Sequence, residues 1–189
     1  MPARGRLIAL KGIDGCGKST QAAALAEALG ARLRQLLLAP DAAPPSPRAE
    51  ALLMAADRAE HVARVLEPAL AAGEWVVSDR YAASTIAYQG YGQGLEPATL
   101  DELVRWATDG LAADLSVLVD VSVEVAGRRL AAGGRARADR LERLGPDFAA
   151  RVREGFRAQA AAEPERWIVV DGEAAVGALT AHIVSSVRE

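Results

Sequence analysis

A lysine and a serine set behind a run of glycines are the most chemically telling residues in this chain. Gly12-Ile13-Asp14-Gly15-Cys16-Gly17-Lys18-Ser19-Thr20 follows the apolar run Leu7-Ile8-Ala9-Leu10 and precedes an Ala/Leu-rich helical pattern. It fits G-x-x-x-x-G-K-[ST] in the strand–loop–helix setting that gives the pattern its meaning. The glycines let the backbone turn tightly and aim successive N–H groups at phosphate oxygens. The helix that follows adds unpaired N–H groups and the positive end of its dipole. Lys18 reaches the β- and γ-phosphates, and the Ser19 hydroxyl ligates Mg²⁺. This is a site for a nucleoside triphosphate.

Two further groups of residues could act on phosphates. Asp79-Arg80 ends the apolar run Trp75-Val76-Val77-Ser78. Asp79 could hold Mg²⁺ through water or position an acceptor phosphate, and Arg80 could clamp that phosphate bidentately; a surface ion pair is the plainer alternative. Arg135, Arg137, Arg140 and Arg143 follow Gly133-Gly134. That pair would serve as the hinge of a lid closing over phosphates at about 132–145, or the arginines are simply a solvated charged loop. Cys16 reads as a small side chain in the loop, and His61 and His182 as structural. Asp120 and Asp171, at strand ends, read as cap or turn residues.

The elements that must carry these groups alternate. Strands are expected at 5–12, 75–78, 115–120 and 167–171. Ser46-Pro47 supplies an N-cap and a proline at N1 for a long helix to about residue 72, interrupted near Pro68 and ended by Gly73. Residues 82–89 read as helical, 90–94 as a glycine-rich turn, and Pro97 as another helix start. Gly145-Pro146 opens a helix with Phe148, Val152 and Phe156 on one face, and 174–187 is the last. Strands alternating with helices imply a doubly wound parallel α/β sheet, with ligands beyond the carboxyl ends of its strands.

Composition sets limits around this picture. The chain has 189 residues and a net charge of −3, which suits one domain over 1–189 and argues against a nucleic-acid polymer as partner. Only Lys11 and Lys18 are lysines among its 22 basic residues, so arginine counts alone do not indicate phosphate binding. No apolar run approaches the ~20 residues that span a bilayer. With no signal-like segment and one cysteine, a reducing, cytoplasmic location is expected and no membrane partner.

Together the residues resemble the thymidylate kinase family of P-loop nucleoside monophosphate kinases. GIDGCGKST, LLMAADRAEHV (52–62), PALAAGEWVVSDRYAASTIAYQG (68–90), DLSVLVDVSVEVAGRR (114–129), DRLE (139–142) and WIVVDG (167–172) carry the likeness over most of the chain. DRYxxSTxAYQG is more specific to this family than the phosphate loop is. The resemblance implies phosphoryl transfer from ATP, with Mg²⁺, to dTMP by a homodimer, for nucleotide biosynthesis. It places Asp14 near the acceptor sugar, Arg58 on the thymine ring, and Arg80 on the acceptor phosphate. Thr85 and Gln89 line the base pocket, Tyr88 packs near the sugar, and Tyr81 helps exclude ribonucleotides. With Cys16 and no arginine in the phosphate loop, Arg137 or a neighbouring lid arginine takes the transition-state role.

Two departures stand out. Met54 occupies a position where the family has an aromatic residue that stacks on thymine; methionine packs on a base with more freedom. Gly30-Ala31 runs directly into Arg32-Leu33, where the family has a second strand and an acceptor loop. In the 2-3-1-4-5 strand order that the resemblance implies, the missing strand is an edge, so its loss leaves the interior ladders intact. Two alternatives follow: a kinase for another pyrimidine nucleoside monophosphate, or a nucleotide-binding relic with impaired turnover.

Overall fold

The computed structural model describes residues 5–11, 13, 44–132 and 140–188. The phosphate loop apart from Ile13, the stretch after Ala31 and the arginines 135 and 137 lie outside the described residues. Four parallel strands form the described sheet: β1 (Leu7–Lys11), β2 (Val76–Asp79), β3 (Leu115–Asp120) and β4 (Trp167–Asp171). Their order is β2-β1-β3-β4. The chain leaves β1 for one side, crosses to the other, and so winds the sheet twice. Register places Leu10 against Asp79 and Lys11 against Leu118. No strand pairs with the outer edge of β2 among the described residues.

Alternation along β1 sends Leu7 and Ala9 into one apolar layer and Ile8 into the other, as the two-residue period of a strand requires. Both faces are covered, which explains why the strands read as unbroken apolar runs. On one face Leu7 and Ala9 meet Val62, Leu66, Leu70 and Tyr81. On the other, Val117 and Val119 meet Tyr88, Phe148, Val152 and Phe156. The expected stripe at 148, 152 and 156 is therefore core. β4 is an edge of the described sheet, and its Val169 remains 55% exposed.

Helix α1 (Pro47–His61) starts where expected, with the Ser46 Oγ accepting from the Ala49 N–H at 3.3 Å. The interruption assigned to Pro68 falls one turn earlier. Val62–Leu66 widens into a π-helical turn, closed by the Glu67 N–H donating to the Val62 carbonyl, before α2 (Glu67–Ala71) resumes with Pro68 in its first turn. Proline has no N–H to donate one turn back and its ring crowds that carbonyl; the wider turn absorbs the mismatch. Gly73, at φ +83°, ends the run.

After β2, α3 (Ala82–Thr85) passes into a second π-helical stretch, Ile86–Gly92. This corrects the expectation of a turn at 90–94: Gly90 and Gly92 are helical, and the chain turns only at Gln93-Gly94. The glycines serve packing instead. A Cβ on Gly92 would lie 2.6 Å from the Phe148 ring, and one on Gly155 would lie 2.8 Å from the ring of Tyr91. The remaining helices are α4 (Pro97–Ala107), α5 (Val123–Ala132), α6 (Gly145–Ala162) and α7 (Val176–Arg188). Among the described residues, no helix is long and apolar enough to cross a membrane.

Close approach at Gly155 leaves no room for a methyl group. Gly155→Ala should lower stability by about 1–3 kcal/mol through overpacking, read as a drop in denaturant midpoint at unchanged slope. An unchanged midpoint would show that α6 and the 86–92 helix are not held this tightly.

Candidate functional site

The carboxyl ends of β1 and β2 bring Lys11, Asp79 and Arg80 together, where a parallel sheet holds its ligands. Arg80 lies at φ +74°, a left-handed conformation that a non-glycine residue adopts only when its surroundings impose it. Part of that constraint is visible: the Ser78 hydroxyl donates to the Arg80 carbonyl at 2.8 Å. The Arg80 guanidinium stands 4.7 Å from the centre of the Tyr88 ring. Tyr88 is itself held edge-on between Phe148 and Phe156, 6.0 and 6.1 Å away. A planar cation resting on an aromatic face is held in a defined orientation.

Tyr81 organises the other cations. Its ring lies 5.6 Å from the Lys11 Nζ and 5.5 Å from the Arg58 guanidinium. Its hydroxyl donates to the Leu111 carbonyl at 2.8 Å, and burial pushes its pKa up to about 12. Lys11 is 1% exposed, and its Nζ has no hydrogen-bond partner among the described residues. Burial, and then the like charges of Arg58 and Arg80, hold it well below the ordinary lysine value, against the opposing pull of Asp79.

Helices α1 and α3 complete the site. Glu50, Met54 and Arg58 recur every four residues along one face of α1, as helical geometry requires. Thr85 and Gln89 recur likewise along the facing helical stretch, and Gln93 follows at its end. At one end an Arg58 Nη donates to the Thr85 Oγ at 3.2 Å. At the other, the Glu50 Oε1 accepts from the Gln89 amide at 2.6 Å and from the Gln93 amide at 3.0 Å. Met54 lies half-buried between the two ends. The second oxygen of Glu50 pairs with Arg140. Glu50 is fully buried, so this one carboxylate joins α1, the 86–92 helix and the far end of the arginine-rich segment.

Of the residues singled out in the sequence, Asp79, Arg80, Tyr81, Arg58, Met54, Thr85, Tyr88 and Gln89 sit on these neighbouring elements. Arg140 is engaged by Glu50, while Arg143 is exposed. Gly12, Asp14, Gly15, Cys16, Gly17, Lys18, Ser19, Thr20, Arg135 and Arg137 fall outside the described residues. Asp120 takes a bidentate pair of hydrogen bonds from Arg153 at 2.6 and 2.9 Å, which raises the arginine pKa and gives Asp120 a structural role. An apolar cavity of about 380 Å³ opens between α5 and α6 beside Ile13 and Tyr88. The described residues that line it are almost all apolar.

Sequence reasoning missed Glu50, Lys11 and Ser78. Glu50 carries one usable signal, its helical spacing from Met54 and Arg58. An acidic residue in a first turn is otherwise accounted for by the helix dipole. Lys11 has none, since nothing local distinguishes a buried lysine from an exposed one.

A family model described as thymidylate kinase matches residues 10–183. A thymidylate kinase of Synechococcus sp. (strain RCC307) is 48% identical over 177 positions, covering 81% of this chain and 82% of that protein. The thymidylate kinase of Cutibacterium acnes is 43% identical over 185 positions, covering 88% of each. That of Synechococcus sp. (strain CC9902) is 41% identical over 209 positions, covering 98% of each. An alignment of 209 positions exceeds the 189 residues available here, so part of that relative has no counterpart in this chain.

The buried ammonium gives the site a pH signature. Because its pKa is depressed on folding, unfolding takes up a proton between the folded value and 10.5, and stability rises with pH across that window. Lys11→Met should therefore raise the Tm of the ligand-free protein by about 2–4 °C at pH 7. The gain should shrink as pH approaches 10.5. A gain independent of pH, or a loss, would show that Lys11 is not held uncompensated.

Proposed function

Because the chain belongs to the thymidylate kinase family of ATP-dependent nucleoside monophosphate kinases, we propose that it phosphorylates dTMP from ATP, giving dTDP. The observation that carries this reading is the convergence of Arg80, Arg58 and Thr85 beside the ends of β1 and β2. It supplies a cation for the acceptor phosphate and, one helix away, a donor and a hydroxyl for the base.

In this reading the phosphate loop cradles ATP, with Lys18 on the β- and γ-phosphates. Arg80, fixed by its backbone and by Tyr88, clamps the acceptor phosphate in line with the γ-phosphorus. Phosphoryl transfer needs little covalent help from protein, so positioning and charge are the catalysis. Arg137 or a neighbouring lid arginine meets the charge spreading over the transferring group. Mg²⁺ would be held by Ser19 and Asp79. A carboxylate at a strand end is the hard oxygen donor this ion takes in ones and twos alongside phosphates, and the ion would neutralise β- and γ-oxygens. Met54 and Gln89 line the base pocket, and Tyr81, with its hydroxyl engaged by Leu111, presents its ring as a wall.

A second reading, nucleotide binding without turnover, is favoured by the relatives' positions that lack a counterpart here. An ADP-release assay with ATP, Mg²⁺ and dTMP, dUMP, UMP, dCMP, dGMP or AMP separates the readings. Turnover should be fastest with dTMP, and Lys18→Ala should reduce it by at least about 10³-fold in a protein that still folds. Another preferred acceptor would move the specificity; ATP binding without turnover on any acceptor would sustain the second reading.

The homodimer is proposed on surface chemistry. Leu52 on α1 and Trp106 on the adjacent α4 are 59% and 83% exposed, and large apolar side chains left open on packed helices suit a second copy. Sedimentation should give a dimer of the 19.8 kDa chain, and Leu52→Glu with Trp106→Glu should give a monomer. A dimer unaffected by both would place the interface elsewhere.

A further inference from the structure

We propose that Glu50 is a positioning residue that selects the acceptor base, by fixing which end of the Gln89 side-chain amide faces the pocket. This rests on the reading of Gln89 as a base-pocket residue. A carboxylate accepts hydrogen bonds and donates none, whereas a side-chain amide has one donating and one accepting end. With Glu50 taking the Gln89 nitrogen at 2.6 Å, the amide has one permitted orientation, and its carbonyl oxygen is the end turned away from Glu50.

Nothing in the surroundings frees Glu50 to release that amide. The same oxygen also accepts from Gln93, and the other is occupied by Arg140. The carboxylate is fully buried, so water does not compete for it. All three partners are donors, and each supports the acceptor-only role. Gln89 is itself 2% exposed, which leaves no solvent to stabilise the flipped amide.

The consequence is a test on the base. A carbonyl oxygen facing the pocket accepts from the N3–H of thymine or uracil. Cytosine carries a lone pair at N3, so the same oxygen would meet an acceptor, leaving two buried groups unpaired. Glu50 would thus reject cytosine without touching it. Discrimination between thymine and uracil, which share the N3–H, lies outside its reach.

The experiment compares kcat/KM for dTMP, dUMP and dCMP in the wild type and in Glu50→Gln. A glutamine at 50 can accept from or donate to the Gln89 amide, so the amide is no longer pinned. The dTMP-to-dCMP ratio should fall by roughly tenfold to a hundredfold, mostly through the KM for dCMP, while the dTMP-to-dUMP ratio stays constant. In a Gln89→Met background the Glu50→Gln change should leave the dTMP-to-dCMP ratio unaltered, because the two residues act through one contact. Should Glu50→Gln fail to fold, Glu50→Gln with Arg140→Met removes both charges of the buried pair and is read the same way. Equal loss on all three acceptors, or a changed ratio that persists without Gln89, would overturn the proposal. Wild-type protein that does not turn over dTMP at all would instead count against the kinase reading.

Discussion

A carboxylate in a protein interior has to be met by donors on every side, and Glu50 is. Taking it out of water costs several kcal/mol, and this structure recovers that from Gln89, Gln93 and Arg140. Those partners come from separate parts of the chain, so satisfying one side chain fixes where three elements meet. Removing a single partner of such a pair costs on the order of 3–5 kcal/mol, because the other charge stays buried. The position of α1 relative to the 86–92 helix, and with it the spacing between Arg58 and Thr85, depends on that arrangement.

The cationic end of the site follows a different logic. Arg80 and Arg58 rest on aromatic faces, which orient a guanidinium. Lys11 lies buried beside them, and their like charges help to hold its pKa down. Assembling like charges is unfavourable in the empty protein and becomes favourable when an anion arrives. The left-handed backbone at Arg80 is stored strain of the same kind. In the proposed reading, stability is given up where the acceptor phosphate would bind, and the Glu50 network one helix away joins the elements around it.

Much of this was legible in the sequence. The strands could be placed because both faces of a parallel sheet are covered and their runs are unbroken. β3 and β4 fall on the expected residues, and the Ser46-Pro47 start of α1 is local chemistry. The 148, 152, 156 stripe is visible because helical period and core burial coincide. The π-helical stretches were not legible. One is a backbone response to Pro68, and the other accommodates contacts between Gly92, Tyr91 and α6, which are remote in sequence. Residue type misled at Gly90 and Gly92, where absence of a side chain serves helix packing as readily as a turn. Glu50 and Lys11 were missed because burial of a charge is decided by tertiary partners, and the sequence displays the charge without the partners.

The central claim is that the acceptor pocket lies between α1 and the 85–93 stretch. Amide hydrogen exchange with and without dTMP tests it directly. Exchange over 50–58 and 85–93 should slow when dTMP is bound, with α7 unchanged. Protection confined to other elements, or none at saturating dTMP, would contradict it.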